Sequence, residues 1–266
     1  MQEPFELIPQ GYLGCNFIIN REEGNLLLRF QQVLGHAENV RFDALTAYLR
    51  FSGLHQLTSH LFDKQGVRIL VGISIDRPVA QSLREARKAE TSTLPNSRLN
   101  TRETRQEVET ELVAEAERSP DEPETVLGVQ QLVKLIQEGV VELRAYPVPN
   151  ALHAKVYIFH HDSTLSEGEV ITGSSNFTER GLRTALEFNV MLKQPSDYYF
   201  ARDRFEELWR DSVPINDLLE ETIDRKTWFS TRFTPYQLFL KTLYEYFRDE
   251  LEAPRFSQDE EPPGYM

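Results

Sequence analysis

The chain has 266 residues, 40% of them hydrophobic, and a formal net charge of −13. That length and composition support one large globular core or two small ones without covalent staples. The single cysteine, Cys15, excludes an internal disulfide and a thiolate zinc cluster, and so predicts a reducing, cytoplasmic setting. The first twenty residues lack a basic segment leading into an apolar run, and no later stretch approaches the ~20 apolar residues of a membrane span. Neither export nor a membrane partner is expected.

An acidic balance argues against a nucleic-acid partner only if the charge is even, and it is not. Residues 101 to 125 hold nine acids and three bases, and residues 248 to 266 hold six acids and two bases. These two segments carry −10 of the −13, so the remainder is nearly neutral. A local basic groove is therefore compatible with the composition, with Arg84, Arg87, Lys88, Arg98, Arg180 and Arg183 as its candidates. Each of them reads equally well as a scattered solvated charge.

Along the chain, residues 25 to 34 (NLLLRFQQVL) space their apolar side chains as a helix does, and residues 45 to 51 (LTAYLRF) read as a strand. A helix at about 54 to 64 stops at Lys64-Gln65-Gly66 and leads into a second strand, VRILVGI, at 67 to 73. This is a β-α-β unit, which predicts a parallel pair with the crossover packed on one face. From about 76 to 125 the composition turns polar and charged, which predicts an exposed helical insertion or a linker with little burial. An amphipathic helix resumes at 126 to 138 (VLGVQQLVKLIQE), ends at Gly139, and precedes a strand at 140 to 146 (VVELRAY). Strands follow at 152 to 159 (LHAKVYIF), 169 to 172 (EVIT) and 186 to 193 (LEFNVMLK), with a polar excursion from 160 to 167, and then a helix at about 196 to 211. Thr234-Pro235 starts a final helix, whose Tyr236, Phe239, Leu240, Leu243, Tyr244, Phe247 and Leu251 keep helical spacing. The end, PRFSQDEEPPGYM, is linker-like. Two β-α-β halves are the nearest thing to an internal duplication.

His153 and Lys155 stand two apart in a strand, so their side chains leave the same face and can reach one phosphate together. That spacing alone is weak, since such a pair is more often part of a surface strand. Gly173-Ser174-Ser175-Asn176 follows one short strand later, and Glu187 interrupts an apolar strand. A carboxylate in that place is costly unless partnered, although an edge-strand surface acid is the plain alternative. His160, His161 and Asp162 suggest a metal cluster at first sight. Adjacent strand residues point to opposite faces, so a solvated loop is the better expectation there, with no metal.

The ordered set His-x-Lys, Gly-Ser-x-Asn and Glu187 resembles the phospholipase D superfamily. HAKVYIF, GSSNFTERGL and LEFNVML are similar to its nuclease branch. The resemblance covers residues 45 to 193. It implies an α/β fold, a mixed β-sheet flanked by helices, with a helical insertion and C-terminal helices: residues 1 to 195 as the nuclease domain, 196 to 252 as a helical extension and 253 to 266 as an acidic tail. It also implies a metal-independent, cofactor-free phosphodiesterase. His153 would be the nucleophile that forms a phosphohistidine, while a second histidine protonates the leaving oxygen. Lys155, Asn176 and Ser174 would hold the non-bridging oxygens with Ser175 beside them, and Glu187 would orient the nucleophile's imidazole.

One departure stands out: the Asp that the family motif places five residues after Lys155 is His160 here. A single motif also creates a geometric demand, because His55 and His60 fall in a helix and cannot supply the second histidine. A homodimer with the site at its two-fold axis meets that demand. By the same resemblance, the expected substrate is DNA and the expected setting a helicase-linked restriction or phage-defence system, with the motor domain or subunit elsewhere. Two rival classes remain: a phospholipid phosphodiesterase, and a catalytically inactive dimerisation or DNA-binding module.

Overall fold

The computed structural model describes residues 15–21, 24–72, 96–118, 123–147, 152–230 and 234–251. The chain divides into two compact units, Met1–Ser230 and Thr231–Met266. In the first unit the strands are β1 (Phe17–Ile19), β2 (Asn39–Thr46), β3 (Gly66–Val71), β4 (Val141–Ala145), β5 (Val156–His161), β6 (Gly168–Gly173), β7 (Phe188–Leu192) and β8 (Val213–Pro214). They form one sheet in the order β1-β7-β6-β5-β2-β3-β4-β8. Its helices are α1 (Leu26–Leu34), the single turn α2 (Phe51–Leu54), α3 (Asn96–Arg118), α4 (Pro123–Gln137), α5 (Pro195–Arg210) and α6 (Asn216–Lys226). The mixed α/β sheet flanked by helices is the fold class the sequence implies.

The sheet is parallel on one side and antiparallel on the other. β2 pairs with β3, and β3 with β4, in parallel. β5, β6 and β7 form an antiparallel meander beside β2, and β1 closes its edge. The parallel β2–β3 pair is the one expected, but the strand runs over 39–46 and not 45–51. Its crossover is the short α2 plus a 3-10 turn at Thr58–His60, not a helix over 54–64. Gly53 sits in that crossover so close to the backbone of Phe177 and Thr178 that a side chain there would clash. His55 follows α2 in a turn and His60 closes the 3-10 turn. The second half is likewise not a β-α-β repeat. Residues 162–167 join β5 to β6, and residues 174–187, with a π-helical turn at Arg180–Thr184, join β6 to β7, so both connections link antiparallel neighbours without the crossover a parallel pair needs.

Both faces of the sheet are buried. On one face Phe30 of α1, Phe42, Tyr157, Phe159 and Phe177 interlock, with Leu132 and Leu135 of α4 and Leu219 and Ile223 of α6 in the same core. On the other, Tyr198, Phe205 and Trp209 of α5 cover Leu45, Leu70, Ile158 and Val170. Asn25 caps α1, its side chain accepting the Leu28 amide hydrogen at 3.0 Å, which supplies one of the partners the first helical turn lacks.

The charged stretch from 76 is helical from Asn96, yet it is not merely exposed, because Thr104, Val108 and Ala116 are buried. α3 reaches α6 through the Arg105–Asp217 pair (2.9 Å) and the Lys226–Glu109 pair, and the Trp228 indole donates to the Ala116 carbonyl. Arg84, Arg87 and Lys88 lie outside the described residues, as do the side chain of Arg98 and the acidic tail. The stretch expected to form one helical extension is shared between the units, with α5 and α6 in the first. In the second unit, α7 (Pro235–Leu251) opens on a reciprocal cap: Thr234 Oγ1 accepts from the Gln237 amide and Gln237 Oε1 from the Thr234 amide. Its stripe of Tyr236, Phe239, Leu240, Leu243, Tyr244 and Phe247 is exposed. No described helix is long and apolar enough to cross a membrane.

Candidate active site

The carboxyl ends of the parallel strands β2, β3 and β4 lie at one end of the sheet, where open α/β sheets place their ligands. The register brings the start of β5, the end of β6 and the start of β7 to the same end: Leu45 faces Val156, Val156 faces Thr172, and Gly173 faces Asn189. His153 and Lys155 lie on the extended run just before β5, outside the ladder. Their backbone is still held, because Thr172 Oγ1 donates to the Lys155 carbonyl at 2.9 Å.

Lys155 is 7% exposed, whereas His153 is open to solvent. The Lys155 ammonium lies 2.9 Å from His153 Nδ1 and 3.2 Å from Nε2, and donates to the His153 carbonyl at 3.0 Å. An ammonium has no lone pair, so the imidazole is the acceptor and presents an unprotonated nitrogen to the cation. Burial lowers the Lys155 pKa below the ordinary lysine value, and the charge of Glu187 opposes that shift. Glu187 therefore acts on Lys155 through space. Among the described residues, the hydrogen-bonding partner of the imidazole is Lys155 and not the carboxylate.

The loop after β6 carries the remaining groups. Asn176 Oδ1 accepts the Tyr48 amide hydrogen at 3.3 Å, which turns its Nδ2 donor end outward, where an anion can meet it. The Ser174 hydroxyl is engaged with the backbone of β7: it donates to the Phe188 carbonyl (3.3 Å) and accepts the Phe188 amide hydrogen (3.1 Å). Ser175, expected to contact substrate, is fully buried. Its hydroxyl accepts from Asn189 Nδ2 at 2.9 Å, its amide donates to Asn189 Oδ1, and its carbonyl accepts from the Tyr157 hydroxyl at 2.7 Å. Burial pushes the Tyr157 hydroxyl above the ordinary tyrosine range, which keeps it a neutral donor. Ser175 thus fixes the loop from behind while Asn176 faces the mouth. Thr46 pins the next residue by accepting the Phe177 amide hydrogen at 3.0 Å.

Of the three residues expected in a solvated loop, only Asp162 lies in one, exposed after the end of β5. His160 and His161 end β5, and His160 is 7% exposed. Its Nε2 lies 2.7 Å from the fully buried Asp43 carboxylate, and its Nδ1 lies 2.8 Å from the Tyr198 hydroxyl. Arg68 bonds both Asp43 oxygens and reaches Glu206. Burial alone would raise the Asp43 pKa, but the His160 and Arg68 hydrogen bonds outweigh it and hold the carboxyl below its ordinary 3.8. Where the motif has an acid on β5, this chain has a histidine whose carboxylate partner comes from β2. The signal in the sequence was a charged residue in each of two apolar strands, Asp43 in VRFDALT and Arg68 in VRILV. Nothing in those strings names their partner.

A family model described as the phospholipase D-like domain of cardiolipin synthase matches residues 64–209, more than half of the 266. No curated protein matches the sequence. Among solved structures, Nuc from Salmonella typhimurium, a phospholipase D family member, is 12% identical over 74% of this chain and 95% of its own, with a TM-score of 0.40. NucT from Helicobacter pylori is 9% identical over 74% and 96%, with a TM-score of 0.41. The phosphatidylserine synthase of Haemophilus influenzae Rd KW20 is 15% identical over 88% of this chain and 45% of its own, with a TM-score of 0.44. The matched stretch contains both the His153–Lys155 run and the Gly173–Asn176 loop that the sheet brings to one mouth, and the chain belongs to the phospholipase D superfamily.

Proposed function

We propose that the chain is a metal-independent nuclease that cleaves DNA phosphodiesters through a phosphohistidine at His153. The observation that carries this reading is the Lys155 ammonium held 2.9 Å from Nδ1 of a solvent-facing imidazole. A cation so placed binds a phosphodiester anion next to the nitrogen that attacks it. A His153 nitrogen forms the bond to phosphorus, and the P–O bond opposite breaks in line. Lys155 and the Asn176 amide neutralise the non-bridging oxygens, and the departing oxygen takes its proton from a second imidazole. Water then attacks the phosphohistidine, giving its proton to that second imidazole and regenerating His153. Glu187 supports the protonated form of Lys155.

One His-x-Lys motif supplies one imidazole, so the second comes from another copy of the chain across a two-fold axis. The exposed Phe17, Leu186 and Phe188 at the β1–β7 edge beside the site are apolar surface of the kind such an interface covers. The placement of His160 weakens the reading as an inactive module, since its one support was the missing motif carboxylate and Asp43 brings a carboxylate to that position. A helicase-linked setting in restriction or phage defence rests on the sequence resemblance alone.

The test is cleavage of single- and double-stranded DNA in EDTA by the purified chain and by His153→Ala, with phosphatidylcholine vesicles as a parallel substrate and mass spectrometry for a phosphorylated histidine. Cleavage of DNA that survives chelation and is lost in the variant is the expected result. Cleavage abolished by EDTA, or retained by His153→Ala, refutes the mechanism, and turnover of lipid without turnover of DNA refutes the substrate.

A further inference from the structure

Next to the mouth, residues 48 to 50 run alongside residues 176 to 178. Leu49 and Phe177 form a parallel bridge, with the Phe177 amide donating to the Tyr48 carbonyl (3.2 Å) and the Arg50 amide to the Phe177 carbonyl (3.0 Å). Phe177 points into the core and Leu49 packs against it. Strand residues alternate, so the flanking residues leave on the other side: Tyr48 with Asn176, and Arg50 with Thr178. The Tyr48 amide bond to the Asn176 side chain agrees with that pairing. α2 pins the far end, since a Cβ on Gly53 would stand 2.7 Å from the Phe177 oxygen and the Thr178 Cα.

Arg50 is therefore held one dipeptide repeat, about 6.6 Å, further along the surface from the Asn176 position. It is half-buried, and among the described residues its guanidinium makes no ion pair or hydrogen bond. In a chain with 42 acids and 29 bases, an arginine left unpaired beside an anion-binding mouth is placed to meet charge from outside. Thr178 adds a donor: its Oγ1 already accepts the Gly181 amide hydrogen at 3.0 Å, which leaves the hydroxyl proton for another oxygen.

We infer that Arg50 and Thr178 form a second phosphate subsite, which takes the phosphate neighbouring the scissile one, so the substrate must carry consecutive phosphodiesters, as a nucleic-acid strand does and a phospholipid does not. This rests on the nuclease reading and adds a specificity residue to it. Arg50 suits the task because its planar fork binds two phosphate oxygens at once.

The experiment compares a thymidine oligonucleotide with bis(4-nitrophenyl) phosphate, which has a single diester, for the wild-type chain, Arg50→Gln, Arg50→Lys and Thr178→Val. In Arg50→Gln the ratio of kcat/KM for the oligonucleotide to that for the small diester falls about tenfold, with the change in KM. The slope of log affinity against log salt falls by about one. Arg50→Lys recovers part of the loss, and Thr178→Val lowers the same ratio to a smaller degree. Equal loss on both substrates, or an unaltered ratio in both Arg50→Gln and Thr178→Val, overturns the subsite while leaving the nuclease reading intact. A wild-type chain that hydrolyses the small diester and never the oligonucleotide overturns both.

Discussion

Replacing His160 by the aspartate that the family motif carries at that place destabilises this protein. In the native fold a carboxylate can only accept, so Nε2 of His160 carries the proton shared with Asp43 at 2.7 Å, and in the neutral ring Nδ1 receives the Tyr198 hydroxyl at 2.8 Å. His160→Asp removes a hydrogen bond to a charged group, worth about 1.5–3 kcal/mol, and a neutral one worth about 1 kcal/mol. It also sets a second carboxylate beside Asp43. Arg68 is already bonded to both Asp43 oxygens and to Glu206, so it is not available to neutralise a third acid. The loss at neutral pH is then about 3–4 kcal/mol or more, in line with breaking a buried pair.

Urea denaturation followed by tryptophan fluorescence measures it. With a slope of about 2.5 kcal/mol per molar, the midpoint falls by roughly 1.2–1.6 M. The pH dependence has a definite sign. Asp43 of the wild type is held below its ordinary 3.8, so its contribution is present above that value and is lost as pH falls through the lower, native one. In the variant one carboxyl of the facing pair must take a proton on folding, which raises its native pKa, so the variant gains stability on acidification. The two curves converge towards low pH. A midpoint within about 0.2 M of wild type at pH 7, or a gap that widens on acidification, refutes the account.

The proposed phosphodiester cleavage has its own pH signature: it needs protonated Lys155, so the alkaline limb of kcat/KM lies below the ordinary lysine value of 10.5. Glu187→Gln removes the charge that opposes the burial effect and moves that limb to lower pH, and a limb that stays in place or moves up refutes the Lys155–Glu187 coupling. At Gly173 a Cβ would stand 2.5 Å from Asn189 Oδ1 and 2.6 Å from its Cα, so Gly173→Ala forces β6 from β7. The expected cost of about 1–3 kcal/mol lowers Tm by roughly 3–10 °C and lowers kcat as well, because the same loop carries Asn176; unaltered melting and turnover refute it.

Local chemistry made several parts legible without coordinates. Apolar spacing located α1, apolar spacing and a following glycine located α4, and Gly139 adopts the left-handed φ of +72° just past α4. The Thr234-Pro235 start and the amphipathic stripe located α7. The ordered His-x-Lys and Gly-Ser-x-Asn strings pointed to the family by resemblance to its motif, and both groups of residues lie in the stretch that the family model matches. β1, β8 and α6 escaped. The first two have three and two residues, too few to show a period, and α6 is mostly charged on its outer face.

What the sequence by itself determined is the set of groups that can do chemistry and the helices and strands long enough to show a period, since both are properties of neighbours along the chain. Only the tertiary structure decided which partners those groups have. The turn of Ser175 into the core, the coupling of Glu187 to Lys155, the embrace of His160 by Asp43 and Tyr198, and the alignment of Arg50 with Thr178 each join residues that are distant along the chain, 14 positions for Ser175 and Asn189 and 117 for His160 and Asp43. A one-residue slip of β2 or β5 would send Asp43 or His160 to the opposite face, so that pair depends on strand pairing that no local string encodes.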